Sequence, residues 1–293
     1  MERHDIALAR CEFLRKAKEI KDWSKVVFTN ETCLNASHRV SKSSTDDNAA
    51  STTAVPVGKG EERLIICHAG TAKGFVDDAL LAFKSKYTGD YRKEINEEVY
   101  ENWFRKLLFS LKEPSTVLLD NAPYHSRQIN RVPNNSNKKE EIINWLCANG
   151  KHVDDSYLRV ELLKMVNDNR PQKRYVIDEM AAECGHTVLR VPPYHSSYNA
   201  IEHIWAQVKE SAARKNTTPP YTGNKMMQLV INACGEVTAK NWESVVAKTK
   251  NTIFSDWERE VTFDQMEQEP IIDTQDTSDD ESSFYEESDS SSE

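Results

Sequence analysis

Residues 117–126 read VLLDNAPYHS: an apolar run ends in Asp120, the chain turns through Asn121, Ala122 and Pro123, and Tyr124 and His125 follow. A buried strand that ends in a carboxylate presents a hard oxygen ligand at a sheet edge. Asp120 is therefore a candidate metal ligand; the alternative is a turn-starting Asp, favoured by local hydrogen bonding. Residues 188–209, VLRVPPYHSSYNAIEHIWAQVK, bear on that choice. A short apolar run stops at Pro192-Pro193, and a helix begins near Asn199 with Glu202 in its first turns. Ile201, Ile204, Trp205, Val208 and Ala212 recur at helical spacing and form one buried stripe. Glu202 falls at the edge of that stripe, where a side chain looks along the sheet toward a strand end. A first-turn Glu is also favoured by the helix dipole, which is the plainer reading for Glu202 by itself.

Together the two stretches resemble the catalytic domain of mariner-like transposases, the DDE superfamily endonucleases of the retroviral integrase superfamily with an RNase H-like fold. That family pairs a strand-ending D-N-A-x-x-H with a later L-P-P-Y-x-x-x-L-N-P-I-E that opens a helix. Here the first reads Asp120-Asn121-Ala122-Pro123-Tyr124-His125 and the second Val191-Pro192-Pro193-Tyr194, then Tyr198-Asn199-Ala200-Ile201-Glu202. The motif Leu is replaced by Tyr198 and the motif Pro by Ala200, while the Glu is kept. Residues 58–74 and Gly89-Asp90-Tyr91 look like further family landmarks, so the resemblance runs over about residues 3–257.

The family also places an Asp in its first strand, inside a D-E-T triplet. Val26-Val27-Phe28 reads as that strand, and the triplet is Asn30-Glu31-Thr32. The resemblance implies a site of Asp120, Glu202 and, in the first position, Asn30, holding two Mg2+ or Mn2+ ions. Two divalent cations about 4 Å apart repel by roughly 17 kcal/mol at an effective dielectric of about 20, which is why such sites gather several carboxylates. A carboxamide offers one carbonyl oxygen and an NH2 that points protons at a cation. Glu31 is a poor substitute, because neighbouring side chains on a strand leave on opposite faces. Metal binding and strand cleavage are therefore expected to be impaired. Glu31, Asn121, His125, His195 and Asn199 are expected as supporting or DNA-contacting neighbours.

With 293 residues the chain has room for one sizeable domain and appendages. Mean hydropathy of -0.68, no apolar run of membrane-span length and a charged opening without a signal-peptide core point to a protein kept inside the cell, with no membrane partner. The six cysteines have no paired spacing and read as free thiols rather than a zinc site or disulfide framework. There is no phosphate-cradling Gly-rich loop, no Gly-x-Ser-x-Gly elbow and no His-Glu-x-x-His, and no small-molecule cofactor is expected. The net charge of -9 hides an asymmetry: thirteen Asp and Glu and no Lys or Arg follow Arg259, which leaves the rest at +4. A mildly basic body suits a chain that meets DNA phosphates.

The expected organisation is α/β: an RNase H-like mixed sheet flanked by helices, with a small helical insertion and a disordered acidic tail. Residues 1–23 read as an N-terminal linker helix, 24–257 as the catalytic domain and 258–293 as the tail, with residues 41–57 a loop between strands. Between Asp120 and Glu202 lie two amphipathic segments, residues 138–149 and 155–169, within an insertion of about 134–174. The pattern is similar to a SAP-like DNA-binding helical pair. Lys138, Lys139, Lys151, Arg159, Lys164, Arg170, Lys173 and Arg174 make it locally basic, with acidic residues between them, so DNA contact and plain packing both stand. Pro-Tyr-His-Ser occurs at 123–126 and again at 193–196, but the flanks differ and no internal repeat is read from it.

The resemblance implies metal-dependent cleavage and transfer of double-stranded DNA by a nuclear homodimer. No paired helix-turn-helix module is found in these residues, so recognition of transposon ends has no candidate element here. The alternative is a catalytically silent remnant that binds nucleic acid or a protein through the retained surface.

Overall fold

A computed structural model describes residues 3–39, 62–85 and 95–268. Strand β1 (Val26–Asn35) is the centre of the sheet. On one side it pairs antiparallel with β2 (Arg63–Thr71), whose outer edge carries β3 (Gly74–Phe75) and β4 (Leu81–Ser85). On the other side it pairs parallel with β5 (Thr116–Leu119), which pairs parallel with β6 (Thr187–Arg190). The sheet is mixed, as expected.

Alternation along β1 divides the core. Val26, Phe28 and Leu34 face one layer with Trp205 and Trp242, formed by helices α1 (His4–Lys18), α6 (Ala200–Lys215), α7 (Gly223–Glu236) and α8 (Ala239–Gln268). Val27 faces the other, under α2 (Glu97–Ser110) and α5 (Val176–Glu183), with Tyr100, Trp103 and Phe104. Both faces are covered because β1, β5 and β6 run parallel, and parallel strands need crossovers that lie on the sheet. Gly70 lets the Trp242 ring lie on β2: a Cβ there would sit 2.1 Å from the indole.

Two boundaries differ from expectation. Helix α1 is no mere linker, since Phe13, Leu14 and Ala17 are buried in the main core. Helix α8 continues to Gln268, eleven residues past the Trp257 at which the catalytic unit was expected to close. Arg10 pairs with Glu260 and so ties this extension to α1. Of the acidic tail expected over 258–293, residues 258–268 belong to α8, and 269–293, the 41–57 loop and Gly89-Asp90-Tyr91 lie outside the described residues. No helix of the described residues is long and apolar enough to cross a membrane.

The insertion holds α3 (Lys139–Ala148) and α4 (Arg159–Asp168) around a core of their own: Ile142, Leu146, Leu162 and Val166. The two helices repeat each other at an offset of twenty residues, visible in Ser136/Ser156, Lys139/Arg159, Glu141/Glu161, Ile142/Leu162 and Asn149/Asn169. Their hydrogen bonds repeat with them. The Ser136 and Ser156 amides donate to Asn134 Oδ1 and Asp154 Oδ1 at 2.8 and 2.9 Å. Glu141 and Glu161 accept from the Lys138 and Leu158 amides at 3.0 and 2.7 Å. Lys139 donates to the Asp155 carbonyl, and Arg159 in return donates to the Asn135 carbonyl. Such exchange between equivalent positions is the mark of a two-fold relation, here within one chain.

Candidate active site

The parallel pairing of β1 with β5 aligns Phe28 with Leu118. Continued by two residues, that register sets Asn30 level with Asp120, on strands spaced about 4.8 Å apart. Asp120 stands just past the carboxyl end of β5, where open α/β sheets bind ligands. Glu202 comes to the same place from the first turn of α6, its amide donating to the Asn199 carbonyl at 3.1 Å. Asn30, Asp120 and Glu202 line one cleft of about 400 Å³, together with Asn121, Tyr194, His195 and Asn199.

Two asparagines hold the cleft walls together. Asn199 Nδ2 donates to the Thr29 carbonyl at 2.9 Å, fastening the start of α6 to β1 one residue before Asn30. Asn121 Nδ2 donates to the Val191 carbonyl at 3.0 Å and joins the chain after β5 to the chain after β6. His195 is half-buried, with its ring stacked on Tyr198 and Nδ1 at 2.8 Å from the Pro193 carbonyl.

Glu31 leaves β1 on the face opposite Asn30, as strand alternation requires, and does not line the cleft. It reaches Asp120 through His125 instead. His125 Nε2 lies 3.2 Å from Glu31 Oε1, and His125 Nδ1 lies 2.8 Å from Asp120 Oδ1 and 3.1 Å from the Asp120 carbonyl. Tyr124 donates to Glu31 Oε2 at 3.1 Å, and the Cys67 thiol lies 3.5 Å from Oε1. His125 is buried, which removes it as a DNA contact. Burial acts to lower its pKa, but the Glu31 carboxylate and then Asp120 outweigh this and raise it to about 9. His125 is thus an imidazolium clamped between two carboxylates. Glu31, Asp120 and His125 each bring one ligand atom within 4.8 Å of the others, and the two acids meet opposite nitrogens of the His125 ring. The arrangement is a hydrogen-bonded relay. Opposite Asn30 on β2, burial lowers His68 to about 3, and its neutral ring stacks on Phe75.

Asp120 and Glu202 bring two carboxylates to the cleft and Asn30 a carboxamide, a set of oxygen donors that fits a hard divalent cation.

Sequence reasoning passed over Tyr194. This side chain is 90% exposed at the cleft rim, and its φ of +65° is a conformation that costs a bulky residue. The duplicated Pro-Tyr-His-Ser was the available signal: the first Tyr is buried against Glu31, and the second stands in solvent.

The sequence profile of the DDE superfamily endonucleases matches residues 82–220, a span that includes Asp120 and Glu202 and stops short of Asn30. Among solved structures the chain is similar to the Mos1 mariner paired end complex with Mn, at TM-score 0.55 and 12% identity over 90% of this chain and 64% of that one. The Mos1 transposase paired-end complex with left transposon end gives 0.53 and 15%, over 90% and 63%. The Mos1 strand transfer complex gives the same score, identity and shares. The chain therefore spans less than two thirds of the length of those Mos1 chains. No curated protein matches it. The chain is thus similar to the DDE superfamily endonucleases over residues 82–220 and shares an RNase H-like fold with the Mos1 mariner transposase.

Proposed function

We propose that this chain is a transposase-like catalytic unit for metal-dependent phosphoryl transfer on double-stranded DNA, working in the nucleus and weakened at its first ligand position by Asn30. The observation that carries the reading is the meeting of Asn30, Asp120 and Glu202 in one cleft at the carboxyl end of β5. Asp120 and Glu202 would hold Mg2+ or Mn2+, with the Asn30 carbonyl oxygen as a neutral third donor. Bound there, a divalent cation supplies Lewis-acid stabilisation of a phosphoryl oxygen and an acidified water. His125, held by Glu31, fixes the Asp120 carboxylate, while Asn199 and Asn121 set the spacing of the cleft walls. Tyr194 offers an exposed ring to a base beside the scissile phosphate. The Mos1 complexes with transposon end and with Mn support DNA and a divalent ion as partners. Residues 24–257 form the proposed catalytic unit, 134–174 its insertion and 1–23 the lead-in helix. The unit would act as a homodimer.

A second reading, a catalytically silent remnant that binds nucleic acid or a protein, is favoured by the carboxamide of Asn30. Nicking of supercoiled DNA in Mg2+ or Mn2+ by this chain and by Asn30→Asp separates the two. Restoring one electrostatic stabiliser should raise nicking by on the order of 10²-fold. Full activity with Asn30 in place would contradict the impairment, and no activity or metal binding in either chain would leave the remnant.

A further inference from the structure

The chain enters and leaves the insertion through a short two-stranded neck. Gln128 bridges Tyr175, the Ile129 amide donates to the Arg174 carbonyl and the Val176 amide donates to the Arg127 carbonyl. The neck's own cations are committed: Arg127 pairs with Glu101, Arg174 with Glu179 and Arg190 with Asp178. Within the insertion, Lys139 and Arg159 are spent on the carbonyls that join the two repeats. Arg131, Arg170 and Lys173 are different. They line a polar cavity of about 260 Å³ just beyond the neck, with the side chains of Gln128, Asn130 and Gln172, and no carboxylate is among its described lining residues. Among the described residues none of the three has an ion pair; Arg170 makes only a 3.3 Å hydrogen bond to Asn167.

Three exposed cations converging with amide donors and no counter-charge repel one another until an anion enters. The position of the cavity points to which anion. Arg131 is six residues after His125, so a fully extended chain puts it at most about 20 Å from the relay. At 3.4 Å per base pair that is about six base pairs. The segment between starts at a fixed point, because Arg190 donates to the His125 carbonyl at 3.0 Å and pairs with Asp178 on α5. We propose that this niche binds a backbone phosphate of the duplex whose scissile bond lies in the Asn30–Asp120–Glu202 cleft, so that the insertion acts as a phosphate anchor and its helices as the frame that holds it. The inference rests on the DNA reading of the cleft and deepens it.

The test is anisotropy of a labelled 20-base-pair duplex with the full chain in EDTA, titrated over a series of salt concentrations. Comparison is with the triple variant R131Q/R170Q/K173Q and with Lys138→Gln/Lys139→Gln as a control on the same insertion. The triple variant should weaken binding at least tenfold near 0.1 M salt and reduce the slope of log K against log salt by about 1, the loss of one phosphate contact. The Lys138/Lys139 pair should leave both affinity and slope unchanged. Unchanged affinity and slope in the triple variant, with its circular dichroism and Tm intact, would overturn the proposal. Displacement of the duplex by low-millimolar inorganic phosphate at constant ionic strength, in the parent chain but not in the triple variant, would identify a free-phosphate pocket and also overturn it. Binding in EDTA does not require the metal site. Nicking by Asn30→Asp with no effect of the triple variant therefore defeats the anchor alone, and the converse defeats the cleft reading alone.

Discussion

Replacing His125 by Gln tests whether the relay behind Asp120 is charged. The folded pKa of about 9 lies above the unfolded value of about 6.5, so the folded chain holds this proton more tightly. The resulting stabilisation is complete below about pH 6.5 and is lost as pH rises through 9. A difference of about 2.5 units at 1.36 kcal/mol each is about 3 kcal/mol, and the buried ring needs little discount for solvent screening. For a domain of this size, about 3 kcal/mol corresponds to roughly 6–12 °C in Tm. The assay is thermal or urea unfolding of the parent chain and His125→Gln in EDTA, near pH 6 and near pH 10. Only the difference between the two proteins matters, because it cancels the other groups that titrate. The parent should lose about 3 kcal/mol more than the variant between the two pH values. Near pH 6 the variant should be the less stable protein, since Glu31 is left buried without its cation. Parallel pH profiles would show that His125 is neutral and that Asp120 is positioned by ordinary hydrogen bonds.

Gly70→Ala should cost about 1–3 kcal/mol, because the added methyl meets the rigid Trp242 indole rather than a flexible chain end; urea midpoints at constant m-value check this, and a neutral result would mean that Trp242 repacks freely. Tyr194→Gly removes a left-handed strain of about 1–2 kcal/mol and adds about 1 kcal/mol of chain entropy. Stability should stay within about 1 kcal/mol of the parent while duplex affinity falls by about 1–3 kcal/mol through lost stacking. Unchanged affinity would remove Tyr194 from the DNA surface.

The sequence carried the site better than its surroundings. Asp120 and Glu202 were legible because each is fixed by a local event: an apolar strand that ends in a turn, and a helix whose stripe leaves one first-turn carboxylate at its edge. The opposed faces of Asn30 and Glu31 followed from the period of a strand. What Glu31 does with its buried charge did not follow, since the partner that rescues it, His125, lies ninety-four residues away and is delivered by the turn after β5. Strand β4, LAFKS, was missed for a related reason. Leu81, Ala82 and Phe83 are only partly buried and the strand has no clean alternation, so its pairing with β2 is a tertiary fact.

The insertion shows why charge counts mislead where geometry decides. Eight basic residues with acidic ones between them left DNA contact and plain packing both open for this segment. The fold sorts those residues by what already satisfies them: Lys139 and Arg159 join the repeats, Arg174 pairs on α5, and Arg170 and Lys173 face a cavity with no carboxylate among its described lining residues. The repeat that does this sorting was itself hard to read. Its two copies preserve cap and cross-link chemistry, Ser, Lys or Arg, Glu and Asn, while the buried aliphatic residues interchange, as in Ile142/Leu162 and Leu146/Val166. Selection for a shared hydrogen-bond pattern tolerates such exchange, because similar aliphatic volumes pack alike whereas a lost cap leaves an orphan amide. A search for identical strings therefore finds Pro-Tyr-His-Ser, whose two copies have different roles, and passes over the twenty-residue unit whose copies do the same job.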